Sequence, residues 1–191
     1  VAQQAENLVV IGASTGGPLI LDEIFKDLPT LNVAIIIVQH IPARFIESLR
    51  ASLYHPGGMA VEVAEEGRPV RHGVTSIAPA GLHLVIDKAA VFHLDEGEKV
   101  NYVRPSIDVT MCAIAKGTFH SLTGIVLTGM GQDGTKGLAH IRAIGGGTIV
   151  QDPRTCPIRR MPQSAIDADV VDTILAPSRI RGWLAGRYAL A

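Results

Sequence analysis

Three polar residues, Ser14, His40 and Asp133, each stand just beyond an apolar run, and together they could perform acyl transfer. A serine hydroxyl is a poor nucleophile until a base takes its proton, and histidine is the side chain suited to that near neutral pH. A carboxylate on the far ring nitrogen fixes the tautomer and stabilises the imidazolium that forms. The serine lies in Gly12-x-Ser14-x-Gly16, the G-x-S-x-G form of a nucleophile elbow, where small neighbours let the backbone bend and leave the oxygen exposed. The aspartate lies in Gly129-x-Gly131-x-Asp133-Gly134, a glycine-rich loop able to bring backbone close to a substrate. The order Ser, His, Asp differs from that of the α/β-hydrolases, but triads are recognised by geometry. The reading requires all three side chains at one sheet edge, with the Ser14 hydroxyl near hydrogen-bonding reach of His40.

Other readings compete at each position. A glycine-rich turn between strand and helix also holds phosphates. Gly12-Ala13-Ser14-Thr15-Gly16-Gly17 departs from G-x-G-x-x-G at Ser14, and no G-x-x-x-x-G-K-[ST] occurs. The second strand ends in Gln39-His40 rather than in an acidic residue, so the phosphate reading is the weaker. Of seven histidines, His40 alone joins the end of an apolar strand to an Ile41-Pro42 turn; His83 and His93 read as structural or solvent-facing. Asp108 and Asp152 compete with Asp133. Asp108 reads as an early-helix carboxylate favoured by the helix dipole, and Asp152, before Pro153, as a turn former or a second site residue. Asp133 itself also fits a loop-stabilising Asp-Gly turn.

The elements that must position these residues alternate strand and helix. Residues 8–11 and 34–39 are apolar enough for parallel strands covered on both faces, with helical spacing at 19–28 and 45–53. From 61 to 94 the apolar runs are short and alternating, and they read as strands and hairpins. Helix returns at 107–115, with Ser106 or Asp108 as its cap, and strands at 124–128 and 148–151 flank a helix at 135–144. A short helix opens at Pro162, a short strand follows at 170–174, and Ile180, Leu184 and Tyr188 mark an amphipathic terminal helix. The fold class is α/β: a doubly wound, mostly parallel sheet with helices on both faces and a short antiparallel hairpin region. In such sheets ligands sit beyond the carboxyl ends of the strands, where Ser14, His40 and Asp133 all fall.

Composition narrows the function further. Hydrophobic residues are 47% and charged residues 18%, which fits one well-filled domain over 1–191. A formal net charge of -1 and 4% aromatics give neither a basic field nor stacking platforms, so nucleic acid is not an expected partner. The longest apolar stretch, 33–38, is far too short for membrane insertion, and the first six residues lack the pattern of a signal peptide, so a cytoplasmic protein is expected. Cys112 and Cys156 have no metal-type spacing and read as small buried hydrophobes. The oligomeric state is not encoded in any recognisable way.

With these residues in hand, the chain resembles the catalytic domain of the chemotaxis receptor protein-glutamate methylesterase family, CheB. The matching segments are 11–18, Val38 to Pro42 with Phe45, 78–84, Arg104-Pro105-Ser106-Ile107-Asp108-Val109, 127–134 and Met161-Pro162. The resemblance implies that Ser14 is the nucleophile, His40 the general base and acid, and Asp133 the residue orienting His40. It places Thr15, Gly16 and the backbone of Met130 around the site, with the Met130 amide as oxyanion donor. It further implies hydrolysis of glutamyl methyl esters on the cytoplasmic helical bundle of chemoreceptors, with release of methanol, and deamidation of receptor glutamines, with no metal or organic cofactor. A non-catalytic receptor-binding or scaffold module of the same fold is the alternative. Two features depart from the family. No receiver-type segment precedes Val9, which is read as an isolated or stand-alone catalytic domain. Arg159-Arg160 stands before Met161-Pro162, where the family usually has a glycine, and reads as a solvated loop face, as a contact for an acidic surface or as a change in access to the site.

Overall fold

Leu8, Val9, Val10 and Ile11 are apolar without a break because both faces of their strand are covered. In a computed structural model, which describes residues 5–190, this strand is β1 (Asn7–Ala13). Leu8 and Val10 enter one core and Val9, Ile11 and Ala13 the other, the period-two alternation of a strand between two layers. Around it come α1 (Gly17–Phe25), β2 (Ala34–Gln39), α2 (Ile46–Leu53), β3 (Ala60–Val63) and β4 (Val74–Ile77). Then follow β5 (His83–Ile86), β6 (Phe92–Asp95), α3 (Ile107–Ala113), β7 (Ser121–Val126), α4 (Thr135–Ala143) and β8 (Gly147–Gln151). The last elements are α5 (Arg160–Asp167), β9 (Thr173–Leu175) and α6 (Pro177–Tyr188).

Among the described residues seven strands form one sheet in the order β3-β4-β2-β1-β7-β8-β9, and every pairing in it is parallel. The fold is therefore the doubly wound α/β class that the sequence indicates. Ile20, Leu21 and Ile24 of α1, Leu49 of α2 and Ile180 and Leu184 of α6 close one face. Met111 of α3, Leu138 and Ile141 of α4, Ala165 of α5 and the β5–β6 hairpin close the other. The chain leaves β1 toward β2 on one side and reaches β7 on the other, so the β1/β7 boundary is where the strand order reverses. A crevice for a ligand is expected at such a boundary.

Two expectations need correction. The stretch 61–94 is not hairpins throughout: β3 and β4 join the main sheet in parallel, and only β5 and β6 pair antiparallel. Their short length and mixed polarity hid this, because β3 lies at the sheet edge with partly exposed residues and β4 buries Thr75 and Ser76. Cys112 is exposed rather than buried. Cys156 is half-buried, and burial together with the Asp152 carboxylate pushes its thiol up to about 12, so it is no thiolate nucleophile near neutral pH. Among the described residues no helix is long and apolar enough to cross a membrane.

Candidate active site

The first glycine of G-x-S-x-G does not bend the chain. Gly12 lies inside β1, and a Cβ there would stand 2.6 Å from the side chain of Ile107, so its smallness lets the start of α3 close over the strand. The bend falls at Gly16, whose φ of 81° is strained for any side chain, at the entry to α1. Ser14, between them, is half-buried and Thr15 is exposed. Their turn is fixed from three sides. Ser14 N donates to Thr128 O at 3.0 Å, Gly17 N donates to Ser14 O at 2.8 Å, and Gln39 Nε2 donates to Ser14 O at 2.9 Å.

The same Gln39 amide donates to His40 O at 3.0 Å, and His40 N donates to Ala13 O at 3.0 Å. The ends of β1 and β2 are thereby locked in register, with Ala13 opposite Gln39 and Ser14 and His40 next in line. His40 Nε2 lies 2.9 Å from Asp133 Oδ2, with the histidine side chain 11% and the aspartate 3% exposed. Because an ionised carboxylate only accepts, Nε2 carries the proton in this pair, which leaves Nδ1 as the lone-pair nitrogen whenever the ring is neutral. The Ser14 hydroxyl makes no hydrogen bond among the described residues, so a Ser14–His40 bond is not formed here. Catalytic hydrogen bonds are often open in the absence of substrate.

Asp133 belongs to more than a turn. Its Oδ1 accepts from Ser106 Oγ at 2.8 Å, Asn101 Nδ2 at 3.0 Å and Asp108 N at 3.1 Å. Its Oδ2 accepts from Ile107 N at 2.7 Å in addition to His40. The carboxylate thus sits on the open amides at the start of α3, where a helix favours negative charge. Burial pushes its pKa up, but the hydrogen bonds from His40, Ile107 and Ser106 outweigh that and hold the carboxyl below its ordinary range. An acceptor that stays ionised is what an imidazolium beside it requires.

Asp108 lies in the first turn of α3 as expected, but it does not cap that helix; Ser106 is the cap, accepting from Val109 N. Asp108 Oδ1 instead accepts from Gly134 N at 2.9 Å and Gly137 N at 2.8 Å, at the start of α4, and its Oδ2 accepts from Asn101 Nδ2 at 2.9 Å. Burial, with the Asp133 charge adding to it, pushes the Asp108 carboxyl up despite these bonds. Asp152 is the turn former: it caps the short turn Pro153–Thr155 and pairs with Arg154. His83 is buried and structural, accepting from Ser106 N at Nδ1 and bonding Glu98 O through Nε2. His93 is a half-exposed surface residue between Asp87 and Glu66.

Several contributors escaped the sequence reading. Gly129 is buried, and a Cβ there would meet Ser14 Cβ at 2.6 Å and the Met161 sulfur, so no larger residue fits between serine and methionine. Gly129 N donates to Ile158 O at 2.9 Å and Met161 N donates to Gly129 O at 3.0 Å. Buried Thr128 adds to this clamp: its hydroxyl lies 3.0 Å from the carbonyls of Thr15 and Ile158 and accepts from Ile158 N at 3.0 Å. Met130, next along, is 65% exposed, and its amide donates to no group among the described residues. No group of metal-binding side chains occurs among the described residues.

Comparison with known proteins adds to this geometry. The family model described as CheB methylesterase matches residues 9–184. A protein of Symbiobacterium thermophilum named protein-glutamate methylesterase/protein-glutamine glutaminase is 40% identical over 169 residues, 88% of this chain and 47% of that protein. A Thermotoga maritima protein of the same name is 38% identical over 177 residues, 91% of this chain and 52% of its own length. The chain therefore spans about half the length of these curated relatives. The crystal structure of the Thermotoga maritima CheB methylesterase catalytic domain superposes with a TM-score of 0.90 at 37% identity, covering 95% of this chain and 98% of that one.

Proposed function

This chain belongs to the CheB methylesterase family, and from that premise we propose that it is a serine hydrolase acting on glutamyl methyl esters of proteins. The methylated glutamates of a chemoreceptor's cytoplasmic helical bundle are its proposed substrate, with a place in signal transduction in the cytoplasm. Receptor glutamine deamidation is proposed as a second use of the same site, in keeping with the relatives' names. The observation that carries the reading is the 2.9 Å bond between His40 Nε2 and Asp133 Oδ2, made beside Ser14 at the carboxyl ends of adjacent parallel strands.

In the proposed reaction Asp133 holds the Nε2 proton of His40 and leaves Nδ1 as the base. Ser14 Oγ gives its proton to Nδ1 as it attacks the ester carbonyl, and the imidazolium is stabilised by Asp133. The amides of Met130 and Thr15, neither with an internal partner among the described residues, are the proposed donors to the tetrahedral oxyanion. One such donor is worth about 3 kcal/mol in a hydrolase of this kind. On collapse the methoxy oxygen takes the proton from His40 and departs as methanol, leaving an acyl-serine. A water, deprotonated by His40, releases the glutamate carboxylate and restores Ser14. With glutamine the leaving group is ammonia and the acyl-enzyme is the same. No cofactor is needed for these steps. Methanol released from a methylated receptor, with loss of release in Ser14→Ala, is the test.

A further inference from the structure

A cleft of about 410 Å³ opens beside the loop that carries Asp133. Its walls come from Asn101 and Tyr102, from Gly131 and Gln132, and from α5 at Arg160 and Gln163. The loop that lends Gly131 and Gln132 to the cleft also carries Gly129. Gly129 packs on Ser14, and its hydrogen bonds to Ile158 and Met161 anchor the backbone on either side of Arg160. Met161 is fully buried, so Arg160 is held at the rim by its neighbour.

Arg160 is exposed and makes no ion pair among the described residues. Arg159 beside it is also exposed and makes no ion pair among the described residues, but it does not line this cleft. Arg154 closes on Asp152 at 2.7 Å, and Arg104 Nη1 donates to the carbonyls of Glu96 and Gly97. Asp167, in the cleft wall, accepts from Gln163 Nε2 at 2.8 Å and forms no ion pair with Arg160. Arg44, four residues past His40, stacks on the exposed Phe45 ring and has no carboxylate partner among the described residues. Of these guanidinium groups it is the unpaired one of Arg160 that lines the cleft, in a chain whose net charge is -1. A planar guanidinium open to a cleft matches a carboxylate in geometry and in charge.

We propose that this cleft reads the substrate segment next to the ester, with Arg160 taking a carboxylate from a glutamate or aspartate near the esterified residue, so that the protein selects acidic segments. The inference rests on the ester-hydrolysis reading of Ser14. Two helical peptides test it, each with one glutamyl methyl ester, one flanked at three and four residues on both sides by glutamate and the other by glutamine. Wild type is expected to show a KM roughly 3- to 5-fold lower for the glutamate-flanked peptide, the span of a surface ion pair. Arg160→Ala is expected to bring that ratio close to one. Arg159→Ala removes the same charge from a neighbour that does not line this cleft and is expected to keep it.

A wild-type ratio near one, an unchanged ratio in Arg160→Ala, or an equal loss in Arg159→Ala overturns the proposal. If wild type releases methanol from neither peptide, the hydrolysis reading fails separately, and titration with the unesterified peptides decides the cleft. Tighter binding of the acidic peptide that Arg160→Ala abolishes upholds the proposal, and equal binding of both peptides overturns it.

Discussion

Asp133 Oδ1 accepts the backbone N–H of Asp108 at 3.1 Å, while Asp108 Oδ1 accepts the backbone N–H of Gly134, one residue past Asp133, at 2.9 Å. Each carboxylate serves the helix start at the other's position, and Asn101 Nδ2 donates to both. The orientation of His40 therefore depends on how α3 and α4 meet, because the carboxylate that holds it is fixed by the first of these helices.

Replacing the orienting carboxylate separates orientation from folding. Asp133→Asn keeps an acceptor but offers an amide where Ile107 N and His40 Nε2 now donate. A fall in kcat of roughly 10³- to 10⁴-fold with a much smaller change in KM is expected, from the wrong imidazole tautomer. Steady-state kinetics on a methylated peptide, with circular dichroism to check the fold, measures it.

Asp108 is expected to act mainly on stability. Asp108→Ala leaves the buried amides of Gly134 and Gly137 without acceptors, at a cost of about 1–3 kcal/mol. Urea unfolding reads this as a lower midpoint with an unchanged slope.

Gly129→Ala tests the clamp between serine and methionine. The added methyl must displace Ser14 or Met161, and a shift of about 1 Å in a nucleophile is enough for a loss of roughly 10²-fold in kcat. Activity should fall by more than a modest change in thermal midpoint explains. Wild-type kcat would show that the site has room to spare.

His93 gives a pH dependence remote from the site. Its hydrogen bond to Asp87, then that to Glu66, raise its pKa above the ordinary histidine value. A raised pKa means that the protonated ring favours the folded chain. The contribution is full below about pH 6.5 and is lost as pH rises through the folded value. The difference in thermal midpoint between wild type and His93→Gln should be larger at about pH 5 than at about pH 9. The reverse order would contradict the pairing with Asp87 and Glu66.

How much of this was legible depends on whether a residue's reason is local. The unbroken apolar run of β1 declared a strand covered on both faces, and Ser14, His40 and Asp133 declared themselves by following such runs. The sequence could not reveal that β3 and β4 pair in parallel, since four-residue strands with mixed polarity at a sheet edge look the same in a hairpin. The exchange between Asp108 and Asp133 was equally hidden: an aspartate in a first helical turn has a sufficient local explanation, and only tertiary contact shows that it serves another helix. Ser106 was recognisable as a cap, but its hydroxyl reaching Asp133 was not. Gly129 reads in the sequence as part of a glycine-rich loop that brings backbone close to a substrate; its role at Ser14 is steric.

The central claim is that Ser14, activated by His40, cleaves a glutamyl methyl ester. The most direct measurement is methanol released by purified wild type and Ser14→Ala protein from a methylated receptor bundle, with thermal midpoints recorded for both. The account predicts steady release by wild type and a loss of at least roughly 10³-fold in Ser14→Ala at an unchanged midpoint. Normal release by a folded Ser14→Ala protein would contradict it.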